Sequence, residues 1–135
     1  MALGAKRMEM FRWARTVFCA SCLSTETDRG ALRVARRAYL EWYRSFHFLF
    51  HLHGSMPRSG PRAPTFDEVI AQGRGIAGSP QTVARFINEQ MEKTGCNYFV
   101  GQFAFGDLTL SEMLESIALF HERVMPELGA EVVAR

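Results

Sequence analysis

The chain is 135 residues long, 47% hydrophobic and 22% charged, which excludes a disordered segment and suits one modest folded domain. No run approaches the roughly 18 to 20 apolar residues needed to cross a bilayer. Arg12 and Arg15 interrupt the place where a secretory signal would grow its apolar region, and three cysteines, an odd count, do not make a disulfide framework, so a cytoplasmic protein is expected.

The net charge of +2 is unevenly spread: residues 1–74 carry twelve Lys/Arg against six Asp/Glu, residues 75–135 four against eight. Such a split can mark a nucleic-acid or membrane surface. Here Arg29, Arg33, Arg36, Arg37 and Arg44 fit the wet side of an amphipathic helix, and no aromatic-plus-basic strand pattern accompanies them. Neither a membrane nor a nucleic acid is the expected partner.

Residues 1–14 form an N-terminal extension with no assigned role. Residues 15–20, with Val17, Phe18 and Cys19, predict a short strand. Cys19 and Cys22 make a C-x-x-C, but no second ligand pair at zinc spacing and no helix-opening context accompany it. Buried thiols near a strand are expected, and no metal. Asp28 can then cap a long helix over 28–53, whose stripe Leu32, Ala35, Tyr39, Trp42, Phe46 and Leu49 advances by alternating steps of three and four. His47 and His51 stand four apart, a spacing that can face one metal, yet the Glu of an H-E-x-x-H motif is absent. Histidines packed or tolerated near a helix C-terminus are the simpler account. Gly54 is a natural stop.

Three prolines and a glycine between 55 and 64 rule out regular structure there. A helical turn follows over 65–71, and 75–77 reads as a very short strand. Ser79 as N-cap and Pro80 at the first helical position open a helix with the stripe Val83, Phe86, Ile87 and Met91, ending at Gly95. Residues 97–103 are a strand by composition, apolar on both faces as a covered parallel strand would be. Thr109 with Glu112 forms a capping box, stapled by Leu108 and Met113, for a last helix with the stripe Met113 or Leu114, Ile117, Phe120 and Val124 before Pro126. His121 on this helix reads as a surface residue. The order is strand, helix, three times over, each helix long enough for a right-handed crossover between parallel strands.

Several stretches together resemble the C-terminal end of luciferase-like flavin-dependent monooxygenases. They are Ile76-Ala77-Gly78-Ser79-Pro80-Gln81-Thr82-Val83, Thr94-Gly95-Cys96-Asn97-Tyr98-Phe99-Val100, Phe103-Ala104-Phe105-Gly106-Asp107, Ser116-Ile117-Ala118-Leu119-Phe120 and Val124-Met125-Pro126. Thr27-Asp28 with Ala38-Tyr39 and Trp42-Tyr43 resembles the family's preceding strand-helix unit. Residues 19–25 add length the family lacks at that point. The resemblance spans 15–128, leaving 129–135 as a tail.

It implies an α/β fold, the incomplete C-terminal portion of a (β/α)8 barrel with about three strand-helix units, since a full barrel takes about 250 residues. It implies reduced FMN supplied by a separate flavin reductase, or a deazaflavin in some relatives, with O2 and a small organic substrate. Because barrel sites lie at the C-terminal ends of strands, the resemblance places Gln102 and Phe103 toward the flavin or substrate, with Gly106 and Asp107 at the rim. Read from the residues alone, Phe103 can equally be packing and Asp107 a helix cap. Ser79, at a helix N-terminus, can be an anion point or a simple cap. Catalytic side chains would lie on strands outside this sequence. The chain alone is expected to be inactive, and a homodimer pairing open strand edges is the alternative.

Overall fold

Val17–Ser24 forms β1, the central strand of a three-stranded sheet, in a computed structural model that describes residues 17–58 and 60–128, with side chains from Ala20 onward. The other elements are α1 (Asp28–Leu52), α2 (Phe66–Ala71), β2 (Gly75–Gly78), α3 (Pro80–Thr94), β3 (Tyr98–Gln102) and α4 (Leu110–Leu119). A π-helical turn at Phe120–Val124 and a 3-10 turn at Met125–Glu127 complete the chain's last helical arm. Residues 1–16 and 129–135 lie outside the described residues, and so do the expectations placed on them.

β1 reaches four residues past its expected end at Ala20. The cause is pairing: Ser21–Ser24 run in parallel register with Gly75–Gly78 of β2. The lower part of β1, Val17–Ser21, pairs in parallel with Tyr98–Gln102 of β3. Strand partners on both sides hold Ser21, and β2 on one side with Ser116 Oγ on the other holds Ser24, in a strand despite their polar side chains.

The fold is therefore α/β with a parallel sheet, as the sequence predicts. The strand order, however, is β2-β1-β3, whereas consecutive units of a barrel place consecutive strands side by side. The helices also divide between the two faces. Leu23 and Ala77 pack with Ala31, Ala35, Ala38 and Tyr39 of α1 and with Phe66 and Val69 of α2. Cys22 and Ile76, on the opposite face, pack with Val83, Ala84 and Ile87 of α3 and with Val124 of the π turn. Each fully buried Leu, Ile or Val in these layers contributes about 1.5–3 kcal/mol. In a barrel the inner face is filled by side chains of other strands; a three-stranded sheet offers both faces to helices.

Local signals hold at two of the helix starts. Ser79 Oγ accepts from Thr82 N–H with Pro80 following, and Thr109 and Glu112 complete the capping box. Gly95 ends α3 in the left-handed conformation, φ 67°. At α1 the cap is Thr27 rather than Asp28, its Oγ1 accepting from Gly30 N–H at 3.1 Å. Asp28 is thereby free for a different task, described below.

Two patterns differ from expectation. Tyr98 and Val100 are 43% and 39% exposed, because β3 is covered by helices on one face alone. In α4 the buried positions are Ser116 and Leu119, while Leu114 and Ile117 are 57% and 46% exposed. Met113, Phe120 and Val124 of the expected stripe do pack on the core, and the buried position between them is Ser116 rather than Ile117; Val124, in the π turn, is buried on the α3 side.

Candidate functional site

Strand pairing sets a row across the sheet in which Ser21 stands level with Gln102 on one side and Gly75 on the other. Ser21 N–H also donates to Arg74 O at 3.2 Å. Above this row α1 presents Tyr39 and Trp42, three positions apart on its inward stripe, with ring centroids 5.2 Å apart. The proline-rich loop passes alongside, tied down where Tyr39 Oη donates to Ala63 O at 2.8 Å. Together they enclose a half-open cleft of about 230 Å³ lined by Ser21, Tyr39, Trp42, Arg62, Arg74 and Gln102, with Ala20, Ala63, Val69 and Val100 completing its walls.

Burial raises the Tyr39 hydroxyl above its ordinary pKa, and the charges of Arg74 and Arg62 pull the other way. Both guanidinium groups thus act electrostatically on the cleft wall. Sequence reasoning assigned neither arginine a role, and no motif flags them: Arg62 sits among prolines and Arg74 between two glycines. Only the fold of the loop and the start of β2 bring them together.

Of the residues expected at a flavin site, Gln102 alone lines this cleft; its Nε2 donates to Ala104 O at 3.4 Å. Phe103 points to the other face, edge-on to Phe120 with centroids 4.9 Å apart. Gly106 (φ 60°) turns the chain against α1, where a β-carbon would collide with the carbonyl of Ala38. Asp107 accepts from Arg37 Nε at 3.1 Å, and the same arginine donates to Glu112 Oε2 at 2.8 Å. Ser79 N–H donates to Asp28 Oδ1 at 2.6 Å. The carboxylate of Asp28 therefore stands where an anion at the start of α3 would, and its hydrogen bonds from Ser79 and Thr82 hold it below the usual carboxylate range.

The C-terminal ends of β1 and β2 are closed in the same way. Ser24 N–H donates to the buried Ser116 Oγ at 2.8 Å, and Thr25 N–H to Gly78 O at 3.2 Å. Gln102, Phe103, Ser79, Gly106 and Asp107 are thus spread over both faces rather than gathered.

The remaining constellations divide between packed and exposed groups. Cys22 is buried among α3 residues, which pushes its thiol up to about 12; the Cys19 side chain lies outside the described residues. His47 is buried, with Nδ1 3.0 Å from Tyr43 O and its ring 4.2 Å from that of Tyr43. His51, His53 and His121 are exposed. Among the described residues no group of three or more His, Cys, Asp or Glu could hold a metal ion, and no helix is long and apolar enough to cross a membrane. The basic face of α1 is partly neutralised: Arg36 pairs with Asp67 at 2.7 Å, Arg37 with Asp107 and Glu112, and Arg44 with Glu41 at 2.7 Å.

No family model matches the chain. The chain is similar to an uncharacterized protein, y4wF, of Sinorhizobium fredii, being 32% identical to it over 99 residues. The alignment covers 73% of this chain and 29% of that protein, so the chain spans less than a third of the relative's length. As 99 residues make up 29% of it, the relative is about 340 residues long.

Proposed function

We propose that this chain is the C-terminal portion of a luciferase-like, flavin-dependent monooxygenase, in which it supplies the last three strand-helix units and does not catalyse alone. The observation that supports the reading is the series of three parallel strands, each followed by a helix, beside the resemblance of the stretches between Ile76 and Pro126 to that family. The length of the relative is compatible: a chain of about 340 residues has room for a complete barrel.

The described residues do not by themselves fit a flavin. The cleft of about 230 Å³ is smaller than the roughly 300–1,000 Å³ of pockets for drug-sized ligands. The Ser79 N–H and the Asp107 carboxylate are also already engaged within the chain. FMN, or a deazaflavin in its place, would need strands that precede β1. The part left to this chain is structural, with Gln102 the one expected residue that lines the cleft.

The reading makes a structural demand. In a barrel β3 lies beside β2; here it occupies the other edge of β1, the edge that a preceding strand would take. With further units present, β3 has to move to the free edge of β2. The test is to compare this chain with any longer product encoded in frame upstream. The longer product is expected to quench FMN fluorescence and to consume O2 in the presence of a flavin reductase, and the 135-residue chain to do neither. A longer product with no affinity for FMN overturns the proposal.

A second reading, a non-catalytic homodimer, draws on the exposed Leu110, Leu114 and Ile117 of α4. An exposed apolar stripe favours association. A strictly monomeric chain across micromolar concentrations removes it. The arginines of α1 favour no nucleic-acid reading, since three of the five are paired with acids.

A further inference from the structure

We infer that the cleft between α1, the proline-rich loop and the Ser21–Gln102 row is a binding site for a small planar oxyanion of the aromatic carboxylate class. The inference needs no flavin and no further chain, and so goes beyond the monooxygenase reading.

Three observations carry it. The first is uncompensated positive charge at a concave surface. Arg62 and Arg74 both line the cleft, and neither forms an ion pair with a described acid. Glu68, whose charge also reaches Tyr39, accepts instead from the Thr65 hydroxyl at 3.0 Å.

The second is an orphaned donor. Arg62 Nε is buried and has no hydrogen-bond partner among the described residues. A buried donor left unmade costs about 1–3 kcal/mol, and more when charged, so a turn of the side chain that brings it to a ligand oxygen in the cleft is favoured. The guanidinium is also held in place, its central carbon 5.5 Å from the Phe46 ring centroid.

The third is the wall chemistry. Trp42 is stacked on Phe46 with centroids 5.0 Å apart and tilted against Tyr39, which fixes an aromatic wall in position. The Tyr39 hydroxyl is already spent on Ala63 O, leaving that wall to apolar contact. Opposite, the Gln102 amide has only one long hydrogen bond, at 3.4 Å, and can turn toward a ligand. Two guanidinium forks suit a carboxylate bidentately, and the aromatic wall suits a flat ring. A volume of about 230 Å³ limits the ligand to roughly one ring.

The test uses the full chain and sodium benzoate, followed through the indole N–H of Trp42, which is assigned with Trp42→Phe. Benzoate is expected to shift that signal saturably. Uncharged benzamide and ringless inorganic phosphate should each bind at least about tenfold more weakly. Arg62→Gln and Arg74→Gln should each weaken benzoate by about tenfold, with Arg33→Gln, an exposed position elsewhere on α1, unchanged. Arg74 is exposed and its side chain makes no hydrogen bond or ion pair with a described residue, so Arg74→Gln reports on binding even if Arg62→Gln disturbs the loop. Benzamide binding as well as benzoate, phosphate competing on equal terms, or both arginine variants binding like the parent would each overturn the inference. Because no flavin enters the experiment, its failure is separate from failure of the monooxygenase reading.

Discussion

Gly95 and Gly106 share a backbone conformation, φ 67° and 60°, but not a neighbourhood. A β-carbon on Gly95 meets nothing within 4 Å, whereas one on Gly106 runs into the carbonyl of Ala38. That carbonyl lies within α1 and is held in its hydrogen-bond ladder, so it yields only if the helix or the turn before α4 shifts. Alanine at either position bears the left-handed penalty of about 1–2 kcal/mol. At Gly106 an overpacking cost of about 1–3 kcal/mol is added. Gly106→Ala is therefore expected to be less stable than Gly95→Ala by about 1–3 kcal/mol. Urea unfolding followed by far-ultraviolet circular dichroism measures both, and with a slope of about 1–3 kcal/mol per molar the gap is a midpoint difference of roughly 1 M. Equal midpoints would show that the turn after β3 does not press on α1, and the close approach that positions Asp107 against Arg37 would be lost with it.

Ser116→Ala strips the acceptor from the buried N–H of Ser24 and should cost about 1–3 kcal/mol in the same urea assay, while Ser111→Ala, at an exposed position on α4, should fall within about 0.5 kcal/mol of the parent. Asp28 has its pKa lowered in the fold, so its contribution is present above the ordinary carboxylate range near pH 4 and is lost as pH falls through its folded value; Asp28→Asn should flatten the acid limb of a stability–pH profile. The Cys22 thiol is shifted the other way, to about 12, so the neutral form that favours folding persists at pH 8 and stability declines only as pH rises from about 8.5 toward that value. Its alkylation by iodoacetamide at pH 8 should track global unfolding, and rapid alkylation of the folded chain would contradict its burial.

Much of the fold was legible because the signals that define it are short in range. Ser79-Pro80, Thr109 with Glu112, Gly95 and the stripe of α3 each depend on residues within a few positions of one another, and each stands as read. The misreadings share a different cause. The cap of α1 passed from Asp28 to Thr27 because Asp28 answers to Ser79, 51 residues away. β1 outran its apolar core because β2 extends it. In α4 the buried place expected for Ile117 fell to Ser116, which answers to Ser24, 92 residues away. For the cleft, Gln102 was visible as the end of a strand, but Arg62 and Arg74 were not. Their significance lies in having no acid partner, which is a property of the folded surroundings and not of the local sequence.

The strand order belongs to this second kind, and it turns on one binary choice. A right-handed crossover that steps one way along a sheet carries its helix over one face; a step in the opposite direction carries it over the other. From β1 to β2 the chain crosses with α1 and α2 on the Leu23 face. Had α3 packed on that same face, the next right-handed step would have continued onward and set β3 beside β2, in barrel order. Instead α3 packs Val83 and Ile87 on the Cys22 face, the step reverses, and β3 arrives at the far edge of β1. Both outcomes use the same helices, the same caps and the same parallel pairing, so nothing within a single unit distinguishes them. What distinguishes them is whether the Cys22 face is open to a helix or already filled by other strands. That is why the amide pairings of β3, with β1 in this chain or with β2 in a longer one, report directly on the barrel proposal: cross-strand nuclear Overhauser effects between Cys19 and Val100 that persist unchanged in a flavin-binding longer product would separate its function from the barrel geometry proposed for it.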